Sequence, residues 1–151
     1  MADAIQAASG RTAGVPAVDA VSAERLATLV PALATRAERL MVALHVLGLP
    51  VRVTQGRRTL ADQQFLYAQG RTRPGDRVTD CDGVLKVSQH QRGRATDFVW
   101  KTATGGVTYE GPWELLGMAA EELGLVWGGR WPGRKIDRPH VELPAPMGDE
   151  D

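Results

Sequence analysis

Two short segments rich in histidine and aspartate most constrain how this chain can fold. The first, residues 88–98, reads SQHQRGRATDF, and the second, residues 137–143, reads DRPHVEL. Together they contain two of the three histidines in a chain of 151 residues. A fold that brings the segments together would assemble two imidazoles and two carboxylates, which is a common ligand and acid/base set for a metal centre.

His90, Asp97 and His140 are the candidate ligands of one metal ion, with zinc as the expected metal. A catalytic zinc site usually has three protein ligands and a fourth position for water, whose pKa the metal lowers to about 7. Asp137 lies three residues before His140, where it could take a proton from that water and deliver it to a leaving amine. The spacing alone leaves a second interpretation open, in which both histidines are polar loop residues and Asp97 is a capping residue.

Composition favours one soluble domain and excludes several classes of protein. The chain has 43% hydrophobic residues, enough for a single core. Eighteen basic and eighteen acidic residues cancel, so we expect no nucleic-acid partner. The single cysteine, Cys81, excludes an internal disulfide. No apolar run is long enough for membrane insertion.

The beginning of the sequence bears on where the protein is made. It lacks the basic and apolar regions of a secretory signal peptide. We therefore expect synthesis in the cytoplasm. The protein is also expected to be a monomer.

The hydrophobic pattern predicts an α+β domain, a short antiparallel sheet flanked by helices, over residues 19–143. Residues 1–18 are predicted to be a flexible segment and residues 144–151 an acidic tail. Helices are expected from Pro31 to about residue 47, from Thr59 to Gly70, and from Pro112 to Gly124. Strands are expected at 51–55, 94–100, 125–127 and 140–143. The predicted core face of the last helix consists of Leu115, Leu116, Met118, Ala119 and Leu123.

Residues 71–87 are rich in proline, glycine and aspartate and predict a long irregular loop. Such loops in small domains are commonly functional. This one leads directly to Ser88 and His90, so we expect it to border the site.

The histidine-containing segments resemble a known family of peptidases. Residues 88–97 resemble the S-x-H-x-x-G-x-A-x-D signature of zinc D,D-carboxypeptidases and L-alanyl-D-glutamate endopeptidases, the VanY-like peptidases of family M15 and their relatives among phage endolysins. Residues 127–131 and 137–140 resemble the W-G-G-x-W … D-x-P-H ending of the endopeptidase and endolysin branch. Upstream, residues 56–59 and 63–72 resemble that branch's G-Y-R-S … Q-x-x-L-Y-A-Q-G-R-T. The resemblance covers about residues 33–143.

The resemblance implies a hedgehog/D,D-peptidase-like fold and a set of roles. His90, Asp97 and His140 match the zinc ligands. Asp137 matches the catalytic acid/base, for which the carboxypeptidase branch has a glutamate.

Further residues match positions around the substrate. Arg58 matches an arginine that stabilises the scissile carbonyl or a substrate carboxylate. Arg57 stands where the family has an aromatic residue, so either arginine could face the site. We expect that Arg58 does. Gln63 is expected to orient that arginine or to contact substrate. Ser88 and Trp131 are expected to contact substrate. For the last two, a turn-shaping serine and a core tryptophan are the alternatives.

The implied activity is hydrolysis of the L-Ala–D-Glu bond of peptidoglycan stem peptides by a phage-type endolysin, released from the host cytoplasm to the wall. One alternative is a D,D-carboxypeptidase that removes a terminal D-Ala; the aspartate at 137 argues against it. Another is a non-catalytic, metal-stabilised wall-binding module, which would need neither Asp137 nor Arg58. A two-His-one-carboxylate iron oxygenase usually has its first histidine and its acid two residues apart, whereas His90 and Asp97 are seven apart.

Overall fold

The computed structural model describes residues 15–145. The predicted flexible segment 1–18 and acidic tail 144–151 therefore lie almost entirely outside the described residues. The elements, in chain order, are α1 (Ala20–Leu26), α2 (Pro31–Val46), β1 (Val51–Gln55), α3 (Leu60–Ala68), β2 (Ala95–Lys101), β3 (Val107–Thr108), α4 (Trp113–Glu122), β4 (Val126–Trp127) and β5 (His140–Glu142). Two single-turn 3₁₀ helices, Gly128–Arg130 and Gly133–Lys135, lie between β4 and β5.

The strands form one antiparallel sheet, as predicted. Its order is β1–β2–β5–β4, and β3 pairs with the last residues of β2. Strand β2 is central, so the first histidine-containing segment runs straight into the middle of the sheet. Strand β5, which begins at the second segment's histidine, lies beside it.

Helix α2 begins at Pro31 as predicted, because proline suits the first helical position, where no backbone N–H is needed. Its fully buried side chains recur every three or four residues and face the core: Leu33, Ala37, Leu40, Met41 and Leu44. No helix within residues 15–145 has the length and apolar character needed to cross a bilayer.

Helix α1 was not predicted, because its seven residues bury only Ser22 and Leu26 and so show no long periodicity. It is fixed by Asp19, whose side chain accepts a hydrogen bond from the Ser22 N–H at 2.8 Å. The same carboxylate lies 2.9 Å from Arg52 and 3.2 Å from Lys101. Asp19 thus ties α1 to β1 and β2.

The predicted core face of α4 is wrong for two residues. Leu115 and Met118 are 43% and 56% exposed, while Leu116 is buried. Gly117 faces the core instead, because the ring of the fully buried Trp127 packs directly against its Cα, in the space that a Cβ would occupy. Small size, together with hydrophobicity, therefore decides which face of this helix is inside.

Candidate metal centre

The pairing of β2 with β5 builds one side of the site. Asp97 lies directly opposite His140 in the ladder. Directly opposed residues of antiparallel strands project to the same face of the sheet. The Phe98 N–H also donates to the carbonyl of Pro139 at 3.0 Å, which holds the start of β5 against β2.

His90 reaches the same place from a tight turn before β2. Its carbonyl accepts hydrogen bonds from the Arg58 N–H at 2.9 Å and the Gly93 N–H at 3.3 Å. Gly93 has a φ of 69°, in the left-handed region that favours glycine. A Cβ there would also come within 2.9 Å of the Arg57 guanidinium. The turn therefore requires glycine to lead from His90 into β2.

Three donor atoms meet in a small triangle. His90 Nε2 lies 3.1 Å from His140 Nδ1 and 3.5 Å from Asp97 Oδ1, and the latter two atoms are 3.3 Å apart. Ligand atoms about 2.0 Å from a tetrahedral zinc ion are about 3.3 Å from one another. Both histidines are about 5% exposed, and no residue of the described range donates a well-formed hydrogen bond to the buried Asp97 Oδ1. The donor set and its spacing fit a divalent metal of the zinc type.

The ionisation of the three groups is strongly coupled. Burial lowers the pKa of His90 to about 4, although the nearby charge of Asp97 acts to raise it. Burial also acts to lower the pKa of His140, but the carboxylates of Asp97 and Glu142 outweigh it and raise that pKa to about 9. Burial acts to raise the pKa of Asp97, yet the two histidines hold it below its usual range. At neutral pH the metal-free cluster thus has a carboxylate, a neutral imidazole and a protonated imidazole, whose proton must leave when a metal binds.

Asp137 lies beside this triangle. Its Oδ2 is 3.9 Å from His140 Nδ1, and its side chain is 44% exposed. The Asp137 N–H donates to the Gly128 carbonyl at 2.9 Å, and a side chain at Gly128 would collide with the Asp137 carbonyl. Burial, and then the charge of Asp97, raises the pKa of Asp137. Both effects make this carboxylate a better proton acceptor.

Arg58 is held by a buried hydrogen-bond network. Its Nη1 donates to Gln63 Oε1 at 2.8 Å, and Ser88 Oγ donates to the same oxygen at 3.0 Å. Gln63 Nε2 donates to Thr79 Oγ1 at 3.2 Å and to the Cys81 carbonyl at 2.8 Å. Gln63 is fully buried, and its amide oxygen holds Arg58. The 71–87 loop reaches the site through these contacts.

The two neighbouring arginines point to different places. Burial lowers the pKa of Arg58, while the charges of Asp97, Asp62 and Asp137 act to raise it; its guanidinium remains protonated. Arg57 is exposed and donates from Nη2 to the Arg92 carbonyl at 2.8 Å. Arg58 is therefore the arginine whose charge interacts with the carboxylates of the centre, Asp97 and Asp137.

The tryptophans of the W-G-G-x-W segment also differ. Trp131 is partly exposed, with its ring centroid 4.8 Å from that of His140. Trp127 is buried in the core, where its Nε1 donates to the Arg138 carbonyl at 2.8 Å. Only Trp131 borders the centre.

Sequence reasoning missed Glu142. Its Oε2 lies 2.7 Å from His140 Nε2, the imidazole nitrogen that points away from the triangle. The available signal was the His-x-Glu spacing on a predicted strand, since residues two apart on a strand share a face.

Comparisons with known proteins give a family match, a similar sequence and a similar structure. A family model described as D-alanyl-D-alanine carboxypeptidase, one of the M15 peptidases, matches residues 83–143. The chain is 34% identical over 125 residues to the peptidoglycan L-alanyl-D-glutamate endopeptidase CwlK of Bacillus subtilis (strain 168), covering 76% of this chain and 73% of that protein. The crystal structure of the L-Ala D-Glu endopeptidase ChiX of Serratia marcescens is similar with a TM-score of 0.60 and 24% identity, over 88% of this chain and 95% of that one. This structural likeness confirms the α+β fold.

Proposed function

Because the chain belongs to the M15 peptidase family, we propose that it is a zinc enzyme that hydrolyses the L-Ala–D-Glu bond of peptidoglycan stem peptides. The observation that carries the proposal is the buried triangle formed by His90, Asp97 and His140. It occurs in a chain that is 34% identical to an endopeptidase named for that bond.

The proposed ligands are one carboxylate and two imidazoles, a set that zinc accepts. A zinc ion held by these residues supplies Lewis-acid chemistry, which polarises a carbonyl and lowers the pKa of water to about 7.

Asp137 is the proposed general base and acid. It is beside the triangle, its side chain is partly exposed, and its pKa is raised. It would accept a proton from the attacking water and then protonate the nitrogen of the departing D-Glu, which completes cleavage of the amide.

Arg58 is the proposed partner of the scissile carbonyl oxygen or of a substrate carboxylate. Its Nη1 is occupied by Gln63, whereas its Nε is buried and has no acceptor among the described residues. A substrate oxygen would satisfy this donor, and the charge that develops on the carbonyl oxygen would strengthen the interaction. Ser88, which donates to Gln63 Oε1, and Trp131, whose ring lies beside His140, are the proposed substrate contacts.

The proposed biological setting is lysis of the bacterial cell wall by an endolysin of the phage type, which acts after release from the cytoplasm. The support is the resemblance of residues 127–131 and 137–140 to that branch of the family.

Digestion of purified peptidoglycan tests the proposal. Zinc-loaded protein should release stem peptides that begin with D-Glu, detected by mass spectrometry, and protein stripped by a chelator should release none. Loss of only a terminal D-Ala would instead assign the D,D-carboxypeptidase activity for which the matching family model is described. Absence of any cleavage by a protein that holds one zinc would contradict the enzyme and favour a wall-binding module.

A further inference from the structure

Glu142 makes the shortest polar contact to a proposed metal ligand. Its Oε2 is 2.7 Å from His140 Nε2, and the two side chains are 20% and 6% exposed. The contact follows from the strand itself, because His140 and Glu142 are two residues apart on β5 and project to one face. Glu142 is opposite Ala95 of β2 and Val126 of β4, so its backbone is held on both sides.

This contact determines which imidazole nitrogen of His140 is available as a ligand. A neutral imidazole carries its single proton on one nitrogen and has a lone pair on the other. An ionised carboxylate only accepts hydrogen bonds, so Glu142 favours the proton on Nε2. The lone pair is then on Nδ1, the atom that faces His90 Nε2 and Asp97 Oδ1 at 3.1 and 3.3 Å.

The orientation of the ring is restrained from a second side. The Trp131 ring lies 4.8 Å from the His140 ring at an angle of 46°. A ring flip about the Cβ–Cγ bond would turn the Cδ2–H of His140 toward the other donors in place of Nδ1, and it would break the contact with Glu142.

We infer that Glu142 is a positioning residue of the metal centre, which holds His140 with its proton on Nε2 and its Nδ1 toward His90 and Asp97. Such partners commonly change metal affinity by about 10- to 100-fold. The inference rests on the proposed metal site and does not depend on which peptide bond is cleaved.

Zinc affinity of the full chain, measured by competition with a chromogenic chelator, provides the first test. Glu142→Ala should weaken zinc binding by about 10- to 100-fold. Glu142→Gln should lie between that variant and the unmodified protein, because its amide oxygen still accepts from Nε2–H. Glu122→Ala, which removes an exposed carboxylate from α4, should leave the affinity unchanged.

The NMR signal of the His140 Nε2–H proton in the zinc-loaded protein provides the second test. The signal should be observable and shifted downfield in the unmodified protein, move upfield in Glu142→Gln, and be lost to solvent exchange in Glu142→Ala. Should circular dichroism find Glu142→Ala unfolded, the Glu142→Gln spectrum decides: an unmoved signal would overturn the inference.

Two results separate the inference from the proposed function. Unchanged zinc affinity in a folded Glu142→Ala variant would overturn the role of Glu142 and leave the metal site standing. Failure of the unmodified protein to bind zinc would contradict the metal site itself.

Discussion

Asp137 and Arg58 distinguish an enzyme from a protein that merely holds a metal. Neither belongs to the triangle of donor atoms, yet both lie close enough to change its electrostatics. A structural metal site has no need of an unpartnered buried guanidinium N–H or of a carboxylate with a raised pKa. Substitutions at these two residues should therefore separate catalysis from metal binding.

Asp137→Asn should keep one zinc per chain and lose cleavage. The amide has the shape of the carboxylate but cannot accept a proton, and general acid–base groups commonly contribute about 10² to 10⁴-fold in rate. Zinc content by mass spectrometry and the rate of stem-peptide release are the measurements. Asp76→Asn, at an exposed position of the 71–87 loop, is the matched control. Cleavage by Asp137→Asn at the unmodified rate would contradict the assigned role.

Truncation of the two neighbouring arginines should give unequal results. Arg58→Ala should reduce kcat/KM by on the order of 10²-fold, the usual scale for loss of a donor to a developing oxyanion. Arg57→Ala should change it little, because Arg57 points to the Arg92 carbonyl. The comparison needs steady-state kinetics and a check that both variants bind zinc. Equal losses in the two variants would contradict the assignment of Arg58 alone as the arginine that acts on substrate.

The proposed ligands were predicted from their residue types together with the resemblance to the peptidase family, because their spacing alone left a polar-loop interpretation open. Their supporting contacts could not be predicted. Arg57 and Arg58 are adjacent in a loop, and only the hydrogen bond to the buried Gln63 distinguishes them. The role of Glu142 depends on a 2.7 Å contact that spacing along a strand permits but does not require.

Among the secondary-structure elements, α1 shows that a short helix can form without a hydrophobic period in its sequence. Asp19 caps it and also contacts Arg52 and Lys101 of the sheet. Burial acts to raise the pKa of Asp19, but hydrogen bonds from Ser22, Arg52 and Lys101 outweigh it and hold the pKa far below its usual range. The ionised carboxylate is therefore favoured by the folded state.

The stability that Asp19 contributes should depend on pH. Because its folded pKa is depressed, the contribution is complete above the unfolded pKa of about 3.9 and declines as the pH falls below that value. Asp19→Asn keeps a capping side chain and should cost about 1 kcal/mol or less at pH 7, since partly exposed ion pairs contribute little. Asp19→Ala should cost about 1 kcal/mol more, because the cap is also lost.

Urea unfolding of the metal-free protein at pH 7 and pH 3 measures these differences. The difference in free energy of unfolding between the unmodified protein and Asp19→Asn should shrink at the lower pH. The difference between the two variants should persist. Widening of the first difference on acidification would contradict the assigned ionisation.

The prediction of long elements succeeded where side chains repeat and failed where packing decides. Helix α2 has a full periodic face and a proline at its start, and both are visible in the sequence. Two of the residues assigned to the core face of helix α4, Leu115 and Met118, are exposed. Gly117 instead offers a surface for Trp127 that no hydrophobicity pattern marks. Helix α1 was missed because seven residues are too few to establish a period.

Across the whole molecule, the fold serves to join two distant segments. The central strand β2 carries Asp97, and β5 returns to it with His140 after more than forty intervening residues. The turn that ends at Gly93 delivers His90, and α3 supplies the buried Gln63 that holds Arg58. Groups far apart in the sequence thus become one centre in a chain whose formal net charge is zero.

The most direct test of this centre is a titration of metal-free protein with zinc, in which bound zinc per chain and peptidoglycan cleavage are measured on the same samples. We expect cleavage to rise in proportion to bound zinc and to stop rising at one zinc per chain. His90→Ala and His140→Ala, as matched variants, should fail to fill the site and should show no cleavage. Full cleavage by the zinc-free protein, or filling of the site in the unmodified protein without any cleavage, would contradict a zinc peptidase centred on these residues.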